Sequence, residues 1–186
     1  LQELSIGGCL NGTIPSSIIN LTSLKKLHIS NTPIYIEPTL HKGDLSWALP
    51  SDIDKLINLE ELSCSNVLEG TIPATIGNLT KLKLLSINQN TSYFGRGKLN
   101  GTIPLEIGNL TNLLQLNISN QSISGEIPTT VTNLTALREL TLSNNLLNGS
   151  IPSLNFPQME YLNLSSNLFT SFSGDAWNCP LLRSIQ

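Results

Sequence analysis

The stretch Leu99–Ser119 reads LNGTIPLEIGNLTNLLQLNIS, and its lettering recurs along the whole chain. Aligned on Asn-Leu-Thr, NLTSLKKLHIS from Asn20, NLTKLKLLSIN from Asn78, NLTNLLQLNIS from Asn109 and NLTALRELTLS from Asn133 share the frame N-L-T-x-L-x-x-L-x-[IL]. The frame runs on into x-x-N-x-L-x-G-x-I-P, with Gly-x-Ile-Pro at Gly12, Gly70, Gly101, Gly125 and Gly149. Self-similarity at a fixed period marks a coil of stacked units, each able to bury its apolar face only against its neighbours.

Within each unit a pair such as Leu27/Ile29, Leu85/Ile87 or Leu116/Ile118 alternates with polar residues, as a short strand with one buried face does. One strand per unit, always entered in the same direction, makes a parallel sheet. Residues such as Ile107, Leu110, Leu113, Ile123 and Ile127 show no alternation and turn inward from the rest of the coil. From Leu4 through Leu27, Leu62, Leu85, Leu116, Leu140 and Leu162 to Ile185, the anchoring positions are 23, 35, 23, 31, 24, 22 and 23 residues apart. The pattern L-x-x-L-x-L-x-x-[NC]-x-L at a base period of 23–24 is the leucine-rich repeat. It predicts one α/β-type solenoid domain over residues 1–186, with a mostly parallel sheet on the concave face and irregular or 3-10 turns on the convex side. About seven repeats are expected, two of them carrying insertions, at 33–44 and 91–98.

The extension LxGxIPxxIGNLTxL resembles the plant-type extracellular leucine-rich repeat subclass of receptor-like kinase and receptor-like protein ectodomains and polygalacturonase-inhibiting proteins. The resemblance implies a right-handed coil, a short second sheet at Gly-x-Ile-Pro and a recognition role. The cysteine-rich segments that flank such ectodomains are missing from the chain. Both ends stop inside a repeat and no charged-then-apolar leader precedes Leu1, so an internal segment of a longer array, or a chain whose leader has been removed, is expected.

The ladder place of the repeat, where a buried amide satisfies backbone groups of the turn, holds Cys9, Thr32, Val67, Asn90, Gln121, Asn145 and Asn167. Valine cannot fill that role, so an altered turn is expected at Val67. Cys9 falls in the ladder, Cys64 on an inward strand position and Cys179 in place of a core leucine; three buried thiols are expected, with pairing of Cys179 beyond this segment left open.

Charged residues make up only 12% of the chain, about half the usual share of roughly 25%, and ten Lys plus Arg against thirteen Asp plus Glu leave a net charge of −3. That balance gives no basic footprint for a phosphate backbone and argues against nucleic acid. No apolar run approaches the roughly 18 residues of a membrane helix. His28 and His41 stand apart from any cysteine or carboxylate set at metal-ligand spacing, and no nucleophile, phosphate-loop or metal motif occurs. Neither enzyme activity nor a cofactor is expected.

The outward strand positions are small, polar and rich in hydroxyls, which suits a ligand read by many weak hydrogen bonds. The alternation Glu3, Lys26, Glu61, Lys83 reads either as a ladder of cross-strand ion pairs or as a ligand-binding pattern. Glu60 and Glu61, adjacent and facing opposite ways, do not form a shared carboxylate pair. The insertions hold anchor-type residues that the concave face lacks. Candidate ligand contacts are therefore Lys26, His28, Ser30, Glu61, Ser63 and Ser86 on the sheet with Tyr35, His41, Tyr93, Phe94 and Arg96 in the insertions.

Eleven Asn-x-Ser/Thr triplets are present. Asn20, Asn78, Asn109 and Asn133 share the N-L-T place, and Asn11, Asn100 and Asn148 the L-N-G-[TS] place; all seven are expected to face outward and to carry N-linked glycans. Asn117, Asn120 and Asn163 are further candidates beside the concave strands, whereas Asn90 is expected to be blocked in the ladder. Two functions fit. The first is a non-enzymatic recognition module, secreted or at the cell surface, that binds an extracellular peptide, protein or polysaccharide. The second is a structural glycoprotein of a matrix, sheath or filament, in which the repeats self-associate.

Overall fold

The computed structural model describes residues 1–32, 34–36, 39–41, 45–89, 99–173 and 178–186. Eight short strands lie side by side in chain order: Glu3–Ile6, Lys26–Ser30, Glu61–Ser65, Leu84–Asn88, Gln115–Ser119, Glu139–Thr141, Tyr161–Asn163 and Ser184–Ile185. All pair parallel and in register, Leu27 beside Leu62, Leu62 beside Leu85, Leu85 beside Leu116 and Leu116 beside Leu140. These leucines are sealed inside the coil, while the residues between them are partly exposed on the concave face. Each repeat thus buries its apolar row against the repeats before and after it, and the core runs the length of the solenoid.

The Gly-x-Ile-Pro motif has a structural reason for each letter. Its isoleucine is buried in every copy, from Ile14 to Ile151. Its proline, extended at φ −67° and ψ 143° in Pro104, caps a 3-10 helix, and the Pro104 carbonyl accepts the Ile107 N–H at 3.1 Å. Pro15, Pro73 and Pro128 do the same for the helices Ser16–Asn20, Ala74–Asn78 and Thr129–Asn133. A fixed φ and no N–H to satisfy make proline suited to that place. Gly101 has a positive φ of 76°, and a Cβ there would come within 3.1 Å of the Thr71 methyl below it. Both facts favour glycine.

The second sheet exists, in two pieces. Leu99–Asn100, Leu68–Thr71, Leu45–Ala48 and Gly12–Thr13 form one, and Ser124–Gly125, Leu146–Ile151 and Leu168–Phe172 the other. Backbone bonds from Ser122 and Ser124 to the Leu99 and Gly101 carbonyls, both 2.8 Å, join them. After the first insertion the chain rejoins the coil at Leu45, and Trp47 is buried. The insertion itself contains an antiparallel hairpin, Ile34–Ile36 against Thr39–His41.

Two expectations need correction. The ladder amides of the later repeats are where the lettering puts them. Asn145 Nδ2 donates to the Ile118, Leu142 and Ser143 carbonyls while its Oδ1 accepts the Ile123 N–H, and Gln121 and Asn167 act alike. In two of the earlier repeats the buried amide comes one residue sooner. Asn31 and Asn66 are buried, with Asn31 Nδ2 donating to the Leu10 carbonyl and Asn66 Nδ2 to that of Asn31. Thr32 is left exposed and Val67 packs into the core, so a shift of one residue resolves the missing amide at Val67. Asn90 lies outside the described residues. The second correction concerns the cysteines. Cys64 is fully buried, and burial pushes its thiol pKa well up. Cys9 and Cys179 are only partly buried, and no disulfide joins the three.

Candidate functional site

In L-x-x-L the two middle residues lie between consecutive inward leucines, so stacking turns them into two rows along the entry edge of the concave sheet. Backbone bonds of 2.7–2.9 Å run through the first row: Lys25 N–H to Gln2, Glu60 to Lys25, Lys83 to Glu60, Leu114 to Lys83, Arg138 to Leu114, Glu160 to Arg138, Arg183 to Glu160. Strand register sets the second row as Glu3, Lys26, Glu61, Leu84, Gln115, Glu139 and Tyr161.

Charges pair along these rows. Glu60 bridges two lysines, with Lys83 Nζ at 2.7 Å and Lys25 Nζ at 3.7 Å. The hydrogen bond from Lys83 is the main cause holding the Glu60 carboxyl below its ordinary value of 4.5. Glu61 takes Lys26 Nζ at 2.8 Å and His28 Nε2 at 3.4 Å, and its hydrogen bond raises the Lys26 pKa. Lys83 therefore belongs to the row of Glu60 and does not continue the series Glu3, Lys26, Glu61. Glu60 precedes the strand that Glu61 opens, and each carboxylate serves its own row. Farther along, Glu160 lies between Arg138 at 3.8 Å and Arg183 at 3.7 Å.

Between these two charged stretches the rows change character. Leu114 interrupts the first and Leu84 the second, and both are partly exposed. They floor a groove of about 470 Å³ whose walls are Glu61, Lys83, Gln115, Arg138, Glu139 and Glu160. A partly exposed apolar floor ringed by charged and amide groups is suited to binding a side chain with an apolar stem and a polar head. Among the described residues no three His, Cys, Asp or Glu side chains gather as metal ligands.

The Leucine Rich Repeat sequence profile matches residues 112–134 and 136–155, within the stretch where the spacing is most regular. The chain is a leucine-rich repeat solenoid. Solved leucine-rich repeat structures resemble it over most of its length. The ectodomain of the plant membrane receptor kinase GASSHO1/SCHENGEN3 from Arabidopsis thaliana, in complex with CASPARIAN STRIP INTEGRITY FACTOR 2, is 26% identical with a TM-score of 0.67, over 91% of this chain and 24% of that one. The ectodomain of the receptor kinase SOBIR1 from Arabidopsis thaliana is 25% identical with a TM-score of 0.60, over 76% of this chain and 72% of that one. A plant ice-binding protein is 28% identical with a TM-score of 0.64, over 86% of this chain and 50% of that one. The family profile and the receptor-kinase neighbours are consistent with the plant-type extracellular leucine-rich repeat family. No curated protein matches the chain in sequence.

On the leucine-rich repeat sheet, Lys26, His28, Ser30, Glu61, Ser63 and Ser86 come together on three neighbouring strands, His28 beside Ser63 and Ser63 beside Ser86. Tyr35 and His41 are on the inserted hairpin, which leaves from the exit end of the strands, opposite the groove. Tyr93, Phe94 and Arg96 lie outside the described residues. In the sequence Lys83 reads only as part of an alternating charge pattern, and Leu84, Leu114, Arg138, Glu139 and Glu160 are not among the candidate ligand contacts. Their signal was present as one leucine breaking each of two charged rows, but it becomes visible only when the repeats are stacked across the insertions. Asn11, Asn20, Asn78, Asn100, Asn109, Asn133 and Asn148 are all exposed, while Asn117, Asn120 and Asn163 are half-buried. No helix among the described residues is long and apolar enough to cross a membrane, which says nothing of a crossing made by strands.

Proposed function

We propose that the chain is a non-enzymatic extracellular recognition module whose concave face binds a peptide. The carrying observation is the groove over Leu84 and Leu114, where an otherwise polar, ion-paired sheet offers apolar surface between charged walls. Hydroxyl and amide side chains at Ser63, Ser86, Asn117 and Thr141 continue from it across the strands. Strands about 4.8 Å apart put such a group within reach of nearly every residue of an extended peptide, which advances about 3.3–3.6 Å per residue. The GASSHO1/SCHENGEN3 ectodomain, solved with a bound factor, supports the reading. Glycans at the seven exposed asparagines would clothe the outer wall and leave this face open, which fits a secreted or cell-surface location.

The test is selection of a random peptide library on phage against the immobilised chain, followed by binding of the enriched peptides to a Leu84→Arg/Leu114→Arg variant whose fold is verified by circular dichroism. Enriched peptides should lose binding to the variant. Equal binding to both proteins, or no enrichment, overturns the proposal.

A second reading follows the plant ice-binding protein. Thr13 and Thr71 are exposed on strands of the second sheet and Thr102 follows its strand Leu99–Asn100, but Glu126 breaks their row. Inhibition of ice recrystallisation that is lost in Thr71→Lys/Thr102→Lys would favour it over peptide recognition.

A further inference from the structure

The charges around the groove are unequally committed. Lys83 is paired with Glu60 at 2.7 Å, Arg138 with Glu160 at 3.8 Å, and Glu61 is taken up by Lys26 at 2.8 Å and His28 at 3.4 Å. Among the lining residues only Glu139 is a charged group to which the described residues bring no ion-pair partner. Its backbone N–H donates to the Leu114 carbonyl at 3.1 Å, so this exposed carboxylate stands directly beside the apolar floor.

Resting on the peptide reading, we infer that the groove selects a basic residue next to an apolar one. The apolar side chain lies on Leu84 and Leu114, and the lysine or arginine runs its methylene stem along the same floor to bring its cation to Glu139. Long basic side chains bury their stems on apolar surface while keeping the charged head in water, which this floor and rim allow. An acidic ligand would have to compete with Glu60 for Lys83 and with Glu160 for Arg138, and would meet the unopposed carboxylate of Glu139. A chain of net charge −3 also steers cationic ligands toward it, an effect that salt weakens.

The probes are three fluorescein-labelled, capped peptides that differ in one place, Gly-Leu-Lys-Gly, Gly-Leu-Gln-Gly and Gly-Leu-Glu-Gly, titrated at low salt. Leu-Lys should bind best and Leu-Glu worst. Glu139→Gln should weaken the Leu-Lys peptide about fivefold, the upper range for an exposed ion pair, and leave Leu-Gln unchanged. Glu139→Lys should reverse the order of the charged peptides. A Leu-Glu preference in the natural chain, or a charge preference unmoved by Glu139→Gln, overturns this inference while leaving peptide recognition standing. Binding of none of the three, together with failure of the library selection, overturns both.

Discussion

Replacing Gly108 by alanine probes how the repeats hold one another. Gly108 is buried in the helix Leu105–Asn109, and a Cβ built on it collides with the backbone carbonyl and Cβ of Thr130 in the next helix, Thr129–Asn133. Backbone cannot swing away as a flexible side-chain end can, so the two repeats must separate. Overpacking of this kind costs about 1–3 kcal/mol, and because each repeat rests only on its neighbours the loss falls on a single interface. At about 2–4 °C per kcal/mol for a chain of this size, thermal unfolding followed by circular dichroism should shift down by roughly 2–12 °C. Thr132 occupies the equivalent place one repeat later, where no 3-10 helix follows among the described residues, and it already carries a side chain. Thr132→Ala is the control and should cost much less. A midpoint for Gly108→Ala within about 1 °C of the natural chain would refute close helix-on-helix stacking as the reason for glycine.

Two more outcomes follow from the polar interactions. Glu60 has a folded pKa depressed below 4.5, chiefly by the Lys83 hydrogen bond, so its contribution is present above that pH and is lost as pH falls through the lower folded value. The stability gap between the natural chain and Lys83→Met should therefore be full near neutral pH and narrow as pH falls below 4.5; a gap of constant size would contradict the pairing. Asn145→Ala strips the donor from three buried carbonyls, nearest that of Ile118 at 2.7 Å, and the acceptor from the Ile123 N–H. Urea unfolding should show a loss of about 1–3 kcal/mol, and an unchanged midpoint would mean that the ladder amide is dispensable there.

The inward leucines and the strand register were legible in the lettering because two periods reinforce each other. Alternation fixes which residues point in, and the repeat length fixes which of them stack, so Leu62 could be placed beside Leu85 without coordinates. The ladder was less legible. An amide at either of two adjacent positions can reach the carbonyls of the turn, and only packing decides that Asn31 and Asn66 do so rather than Thr32 and Val67. The site was least legible. Whether Lys83 serves Glu60 or Glu61 depends on which row it joins, and the apolar gap at Leu84 and Leu114 exists only once both rows are assembled.

The claim that the concave face is the working surface is tested most directly by carboxylate footprinting with a selected peptide bound. Labelling of Glu139 and Glu61 should fall on binding, while that of Glu106 on the 3-10 helix side and Glu126 just past the second-sheet strand Ser124–Gly125 stays unchanged. Protection of Glu106 or Glu126 with Glu139 still fully labelled would place recognition on another face and contradict the account.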